Sequence, residues 1–364
     1  MKDLLLPDLE IIGFRGFDAF RIDRLGRVNL ITGRNGVGKS SLLEALRIYA
    51  RQGEPLEVLS ILESRDEGLS PMYAASNGFD RALLLRSLFF GRPFLSTEPR
   101  ACSIGPSNAD RTLRLSIEQN GSRYSGDRFS PVVADISNNV EWSQLRYNIE
   151  LGAHKRLAAI QQRTIEYHGE PDSASPLYPC LYFNATGLGK GELGRLWDIV
   201  ALTDLEDDVL DALHIIKSDI ARINMIGQSN MGGRIPIVKV AGFSEPVPLR
   251  SLGDGLNRLF GIALILANAR NGLLLIDEIE NGLHYSIQRQ LWKLIFATAK
   301  RLNVQVFATT HSWDCIEAFQ QAACENTGSD GLLVRLENKK GRIVSTVFDE
   351  SDLTIATREQ IEVR

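Results

Sequence analysis

Short apolar segments and turns alternate at the start of the chain. Residues 9–12 and 19–22 have the pattern of strands, and residues 28–31 form an apolar run of strand length. A continuous apolar run is typical of a strand that is buried on both faces. Residues 41–47 follow with apolar side chains at helical spacing, so a strand, a glycine-rich turn and a helix are predicted in succession.

The last third of the chain repeats this order with longer helices. Residues 237–240 indicate a strand, and residues 256–269 indicate a helix that is apolar nearly all round and therefore buried. Residues 273–278 form a continuous apolar run that ends in two carboxylates. Strands and helices in this order predict an α/β fold, with helices flanking a mixed central sheet.

Further elements complete that pattern. An amphipathic helix is predicted over residues 286–301 and a strand over residues 304–312. Residues 332–336 and 342–348 stand on either side of a polar turn and predict a hairpin. The acidic stretch at residues 349–352 is predicted to be a solvated turn.

The middle of the chain, residues 50–235, is irregular by comparison. Residues 112–117 alternate like a strand. Residues 191–224 carry apolar side chains at helical spacing with an acidic break at residues 204–208, which predicts two helices or one kinked helix. These helices either lie on a core with one face in solvent or protrude as an arm that binds a partner. We favour the first arrangement.

Composition limits the class of protein. With 44% hydrophobic and 24% charged residues, the chain can form the large core of an ordinary soluble protein. Its net charge of −4 gives no overall basic field that would attract nucleic acid. The sequence still allows a local basic groove. The cysteines lack metal-binding spacing and the longest apolar run is too short for a bilayer, so we expect reduced thiols and a cytoplasmic protein without a membrane partner.

The glycine-rich turn carries the first candidate chemistry. Residues 33–40 fit G-x-x-x-x-G-K-[ST], a phosphate-binding P-loop, and have the flanking strand and helix that the motif requires. Lys39 would reach the β- and γ-phosphates of ATP, and the Ser40 hydroxyl would ligate Mg²⁺. The predicted nucleotide contacts are Arg34, Asn35, Gly36, Val37, Gly38, Lys39, Ser40 and Ser41.

Two carboxylates and a histidine supply the second half of the predicted site. Asp277 and Glu278 end an apolar strand, and open α/β sheets bind ligands at the carboxyl ends of their strands. Asp277 would hold Mg²⁺, and Glu278 would orient or deprotonate the attacking water. His311, at the end of the next strand, would contact the γ-phosphate or that water.

Together these motifs resemble the ABC-type ATPases of the SMC/RecF/OLD group. The P-loop, a signature-like segment at residues 251–254, the strand at 273–278, a D-loop at 280–284 and a switch loop at 310–312 stand in the ABC-ATPase order. The likeness is to small bacterial ATPases that carry the AAA family name, including anti-phage defence ATPases.

The resemblance implies an ABC-ATPase head, a P-loop NTPase fold with a helical or irregular insertion. Residues 1–50 and 236–364 would form the head, and residues 51–235 would supply the insertion and lobe elements, partly helical.

The resemblance also implies that two heads dimerise head to tail around ATP. Ser251 and Gly253 would then contact the γ-phosphate held by the partner, at a helix N-terminus that favours phosphate. An ordinary helix cap is the alternative for this segment. Leu252, Asp254 and Ile279 depart from the family pattern, so ATP hydrolysis is expected to be slow.

Two assignments stay open at this stage. The glutamine of the family's Q-loop could be Gln52, Gln119 or Gln144, because none has a decisive context. His284 is expected to pack or cap a helix rather than to act on phosphate.

The resemblance implies that the protein acts as a dimeric switch in bacterial anti-phage defence or DNA repair. Residues 313–364 are too few for a Toprim nuclease, so a separately encoded effector such as a Toprim-type nuclease is expected, with DNA as a further candidate ligand. Residues 50–235 are the expected docking surface. The alternatives are an ATP-binding scaffold with little hydrolysis, a transporter ATPase subunit and a small-molecule kinase.

Overall fold

The computed structural model describes residues 4–67, 85–92, 100–119, 145–160, 165–168, 177–227, 233–325, 330–359 and 362–363. The strands in chain order are β1 (Leu9–Phe14), β2 (Phe17–Ile22), β3 (Val28–Thr32), β4 (Arg100–Gly105), β5 (Leu113–Gln119), β6 (Leu145–Leu151), β7 (His154–Ile160), β8 (Ile165–His168), β9 (Cys180–Phe183), β10 (Ile220–Gly227), β11 (Arg234–Val240), β12 (Val247–Pro248), β13 (Leu273–Ile276), β14 (Gln305–Thr309), β15 (Gly331–Lys339) and β16 (Arg342–Phe348). The helices are α1 (Lys39–Ala50), α2 (Pro55–Glu63), α3 (Lys190–Val200), α4 (Asp204–His214), α5 (Asp254–Asn268), α6 (Tyr285–Leu302), α7 (Trp313–Glu325) and α8 (Glu350–Arg358).

A six-stranded sheet in the order β16-β15-β3-β14-β13-β9 forms the centre of the fold. Neighbours from β9 to β15 pair in parallel, and β16 joins β15 as an antiparallel hairpin. Every residue of β3, β13 and β14 is buried, as their continuous apolar runs predicted. The carboxyl ends of these strands therefore open side by side at one edge of the sheet.

Seven antiparallel strands in the order β2-β1-β4-β5-β6-β7-β8 form a second sheet. Five of them come from the middle of the chain, so that region is richer in strands than the helical or irregular insertion that was predicted. Long segments separate some of these five strands, and only β4 among them pairs with β1, which is far away in the chain, so the sequence carries little periodic signal for this sheet. Helix α1 lies between the sheets, where Leu42 and Leu46 share one apolar core with Leu115 and Leu275.

Two helices, not one kinked helix, occupy the stretch with helical spacing. Helix α3 ends at Val200, and α4 begins after Thr203, whose hydroxyl accepts a hydrogen bond from the N–H of Leu205. The acidic residues predicted to be the break instead form the first turn of α4, where carboxylates offset the helix dipole. Both helices bury their apolar faces in the core that contains α5, as expected of a helical face, and β10 follows them.

Two other predictions need correction. Helix α5 begins two residues earlier than predicted and is buried along most of its length. The acidic stretch at 349–352 is not a solvated turn, because Asp349 accepts hydrogen bonds from the N–H groups of Ser351 and Asp352 and caps α8. Asp352 in return accepts from the N–H of Asp349, which completes a capping box.

The remaining elements are confirmed with small shifts at their ends, including the strand and helix around the P-loop and the hairpin of β15 and β16. All four cysteines are free, and three of them are buried. Among the helices that the structure describes, none is long and apolar enough to cross a membrane.

Candidate functional site

The P-loop leads from β3 into α1 with a backbone that glycine adopts most easily. Gly33 and Gly38 have φ angles of 140° and 110°. A Cβ atom on Gly33 would lie 2.5 Å from the carbonyl oxygen of Leu336, and one on Gly38 would lie 3.2 Å from the ring of Phe17. Both the turn and the close approach of neighbouring elements therefore require glycine. Residues 34–36 are exposed at the sheet edge.

Lys39 lies across the loop that precedes it. Its Nζ atom donates hydrogen bonds to the carbonyl oxygens of Gly33, at 2.6 Å, and Arg34, at 3.3 Å. Burial lowers the pKa of this amine, and the nearby carboxylates of Asp277 and Glu278 oppose that shift by favouring the charged form. A partly buried cation at the end of a glycine-rich loop is suited to phosphate oxygens.

Asp277, directly after β13, connects three strands through its carboxylate. Oδ2 accepts a hydrogen bond from Oγ of Ser40 at 3.1 Å and from the Tyr182 hydroxyl of β9 at 3.5 Å. Oδ1 accepts from Oγ1 of Thr309, the last residue of β14, at 2.6 Å. Burial raises the pKa of Tyr182, so its hydroxyl stays protonated and donates to the carboxylate. Asp277 is thereby fixed beside the P-loop serine.

Glu278 has a left-handed backbone, with a φ angle of 49°. This conformation is uncommon for a residue with a side chain and persists where neighbours hold it. Oγ1 of Thr309 accepts a hydrogen bond from the N–H of Glu278 at 2.8 Å, and Nδ2 of Asn281 donates to its Oε2 at 2.9 Å. The side chain is 40% exposed, so water reaches the carboxylate that is predicted to act on it.

His311 follows β14 and is held by Glu280. Its Nδ1 atom lies 3.2 Å from Oε1 of Glu280, and the same oxygen accepts from the backbone N–H of His311 at 3.0 Å. The Nδ1 atom is also 4.0 Å from Oε1 of Glu278. Glu280 is largely buried, whereas half of His311 is exposed. The structure therefore brings Lys39, Ser40, Asp277, Glu278 and His311 together at one edge of the central sheet.

The residues that could hold Mg²⁺ are Ser40 and Asp277. A hydroxyl and a carboxylate side by side are hard oxygen ligands, and Mg²⁺ in phosphate sites uses one or two protein ligands together with phosphate and water oxygens. Among the described residues, no group of three or more His, Cys, Asp or Glu side chains could form an all-protein metal site. The pair therefore fits a cation that binds together with phosphate.

Two different cavities adjoin the P-loop and the signature-like segment. A cavity of about 790 Å³ is lined by residues 33–37, His311 and residues 335–338. A second, of about 400 Å³, is lined by Arg250 and Asp254 beside the start of α5. Neither cavity has lining residues from both segments, so the P-loop and the start of α5 adjoin different cavities.

The signature-like segment is exposed at the start of α5. Ser251 belongs to the 3-10 turn Leu249–Leu252, and Gly253 occupies the N-cap position with a φ angle of 124°. No side chain in the described ranges caps this helix, so Ser251 is not its cap. The first N–H groups of α5 are left for other acceptors.

The structure describes two of the three glutamine candidates, Gln52 and Gln119, and neither lines the cavity at Asp277. Gln52 lies just beyond Arg51, the C-cap residue of α1, Gln119 ends β5 in the second sheet, and Gln144 lies outside the described residues. The strand beside Asp277 is β9, and it leads into Asn184, which lines a cavity together with that carboxylate. Asparagine carries the same amide on a shorter side chain, so the pattern of glutamines in the sequence does not indicate this position.

Other residues that shape the site were not assigned a role from the sequence. Tyr182, Thr309, Glu280 and Asn281 hold the two carboxylates and the histidine through the hydrogen bonds described above. Glu280 and Asn281 belong to the predicted D-loop, and Tyr182 and Thr309 lie at the ends of strands in the central sheet, but the sequence indicates no individual role for any of them. His284 is the N-cap residue of α6, as predicted.

Two family models match parts of the chain. A model described as "AAA domain, putative AbiEii toxin, Type IV TA system" matches residues 212–314 and thus spans α5, the two carboxylates and His311. A second model, described as an AAA domain, matches residues 8–61 and includes the P-loop.

Similar proteins extend over more of the chain. An ATP/GTP phosphatase of Helicobacter pylori is 26% identical over 349 residues, which cover 88% of this chain and 89% of that protein. An uncharacterized protein of Methanocaldococcus jannaschii is 31% identical over 96 residues, 26% of this chain and 83% of that protein. A crystal structure of an SMC head bound to the C-winged helix domain of ScpA has a TM-score of 0.50 at 13% identity and covers 94% of this chain and 98% of that one. At this identity the structural likeness shows a shared fold alone.

Proposed function

We propose that this chain, which is an SMC/RecF-like ABC-type ATPase, binds MgATP at the P-loop edge and hydrolyses it as a dimeric switch. Two copies would pair head to tail, so that each nucleotide lies between the P-loop of one copy and the start of α5 in the other. The homodimer, the magnesium ion and the cycle of closing and opening all belong to this proposal.

The observation that carries the proposal is that the P-loop and the start of α5 adjoin two different cavities. Residues 33–37 and His311 line the cavity at the P-loop, whereas Asp254, the first residue of α5, lines the other cavity. A helix N-terminus attracts phosphate, and the first turn of α5 has no side-chain cap to satisfy its N–H groups. A second copy would supply this helix start to the nucleotide.

Each group at the edge has a distinct part in the proposed reaction. Lys39 and the loop N–H groups bind the β- and γ-phosphates, and Ser40 and Asp277 would hold Mg²⁺, which neutralises phosphate charge when bound. Glu278 orients the attacking water and accepts its proton, while His311 contacts the γ-phosphate. ATP then stabilises the closed dimer, and loss of the γ-phosphate releases it.

We place this switch in the bacterial cytoplasm, in anti-phage defence or DNA repair. The support is the family description that names a toxin–antitoxin system, together with four free thiols that suit a reducing compartment. A conformational output must be passed on, so the proposed partner is a separately encoded effector such as a Toprim-type nuclease, with DNA as a further candidate ligand. The lobe and helices of residues 51–235 are the proposed docking surface.

An ATP-binding scaffold with little hydrolysis is the second candidate. It is favoured by Leu252 and Asp254, which depart from the family pattern in the segment that would face the partner's nucleotide. Phosphate release by the wild type decides between the candidates. Steady release with each turnover supports the switch, and ATP binding without release supports the scaffold.

The test of the dimer uses Glu278→Gln, which removes the proposed base and keeps the size of the side chain. With ATP and Mg²⁺, light scattering should show a doubled mass for this variant, and chelating Mg²⁺ should return it to the mass seen without nucleotide. Glu317→Gln, an exposed change on α7, is the matched control and should behave as the wild type. An unchanged mass of Glu278→Gln with and without ATP would falsify the shared-site proposal.

A further inference from the structure

Arg258, on the first turns of α5, is only 8% exposed and donates hydrogen bonds to four backbone carbonyls. Its Nη1 atom donates to Asn184, at 3.0 Å, and to Ala185, at 2.8 Å. Its Nη2 atom donates to Asp277, at 3.1 Å, and to Glu278, at 2.8 Å. The guanidinium of Arg258 thus joins α5 to the loop after β9 and to the backbone of Asp277 and Glu278.

Packing alone does not account for an arginine at this place. Its neighbours on the helix, Leu256, Leu259 and Phe260, are buried and apolar, and an apolar side chain would suit that environment. Burial lowers the pKa of Arg258 to about 10, with the nearby carboxylates opposing, so the group is charged at neutral pH. A buried charge contributes little net stability, whereas it can specify one arrangement of its partners.

The partner that most needs such support is Glu278. Its left-handed backbone has a φ angle of 49°, which neighbours must maintain. Thr309 accepts from the N–H of Glu278 on one side, and Arg258 donates to its carbonyl oxygen on the other. The guanidinium also lies 4.4 Å from the ring centroid of Phe183, which limits its own movement. The two peptide groups on either side of the Glu278 Cα atom, which set the direction of its side chain, are therefore each held by a hydrogen bond.

We propose that Arg258 is a positioning residue that holds the Asp277 and Glu278 carboxylates in their reactive geometry. The inference rests on the proposed ATP hydrolysis and deepens it. Because Arg258 stands on the helix whose start would face the partner's nucleotide, it also connects one nucleotide to the carboxylates that act on the other. Arginine suits this task since its planar fork addresses four acceptors at once, which the point charge of lysine does not.

The test compares Arg258→Lys and Arg258→Ala with the wild type in steady-state ATP hydrolysis. A displacement of about 1 Å at a reacting group costs roughly 100-fold, so kcat should fall by that order while KM for ATP stays within about twofold. About 20 mM guanidinium should raise the kcat of Arg258→Ala at least tenfold, because it replaces the missing planar group. The same concentration of methylammonium should not raise it. Guanidinium should leave Glu278→Gln inactive, because that variant lacks the proposed base and not its support.

The matched control is Arg301→Lys on α6, whose guanidinium is half exposed and pairs with Asp208, and it should keep wild-type kinetics. Thermal unfolding of every variant separates folding from chemistry. If Arg258→Ala does not fold, Arg258→Lys carries the test. A wild-type kcat in folded Arg258→Lys, or equal rescue by methylammonium, would overturn the positioning role. A wild type that releases no phosphate would instead overturn the proposed function, so the two failures are distinct.

Discussion

The Oγ atom of Ser40 donates a hydrogen bond to Oδ2 of Asp277 across 3.1 Å, although 237 residues separate them along the chain. The two residues follow β3 and β13, which lie on opposite sides of β14 and both pair with it. Parallel pairing brings their carboxyl ends to the same edge, and the P-loop then turns back over the carboxylate. A cation bound between these oxygens would tie the two distant parts of the chain together.

Removal of the Ser40 hydroxyl should therefore weaken metal binding. For Ser40→Ala we expect the Mg²⁺ concentration for half-maximal ATP hydrolysis to rise about tenfold, because one of two protein oxygens is lost. The measurement is phosphate release against free Mg²⁺ at saturating ATP. Ser244→Ala, an exposed change between β11 and β12, is the control. An unchanged Mg²⁺ requirement would show that Ser40 is not a ligand.

Nucleotide binding should depend on Lys39. Lys39→Ala removes the ammonium group that lies against the loop carbonyls and that would bind the β- and γ-phosphates, so ATP affinity should fall by at least about tenfold. Calorimetric titration with ATP measures this, and circular dichroism checks the fold. Lys300→Ala, exposed on α6, should bind as the wild type does. Equal affinity in a folded Lys39→Ala would refute the P-loop assignment.

Thr309 should affect turnover more than binding. Thr309→Val has nearly the same shape, but it withdraws a donor from Oδ1 of Asp277 and an acceptor from the N–H of Glu278. An unsatisfied buried N–H costs about 1–3 kcal/mol, which loosens the backbone at Glu278. We expect kcat to fall about tenfold with little change in ATP affinity. Thr298→Val, buried on α6 outside the site, is the control, and similar kinetics for both variants would contradict this role.

Helix α8 should contribute to stability but not to turnover. Asp349→Ala removes the capping box, so the free energy of unfolding should fall by about 1 kcal/mol. Asp349→Asn keeps a capping oxygen and should lose much less. Urea unfolding of the two variants gives the comparison. Because no residue of α8 lines the cavity beside the P-loop, kcat should not change, and a large loss of kcat would assign α8 a further role.

Several features of the site could be predicted because their physical cause is local. Eight consecutive residues define the P-loop, and the glycines, Lys39 and Ser40 are required by the turn and by phosphate chemistry within that stretch. Asp277 and Glu278 end a run that is apolar on both faces, so their position at the edge of a buried sheet follows from the run itself. The acidic residues at 204–208 and 349–352 were wrongly predicted to be a break and a solvated turn. Carboxylates are common both in solvated turns and in the first turn of a helix, so their presence does not distinguish the two.

By itself, the sequence determined the P-loop, the carboxylate-ended strand, the order of the motifs and the α/β class, since each depends on neighbouring residues. Only the tertiary structure decided that the middle of the chain pairs with β1 in an antiparallel sheet and that Asn184 stands beside Asp277. It also decided that Thr309 and Arg258 hold Glu278 from two sides. Hydrogen bonds between strands and helices that are far apart in the chain leave no periodic trace in the sequence, because their geometry exists only after the sheet has formed.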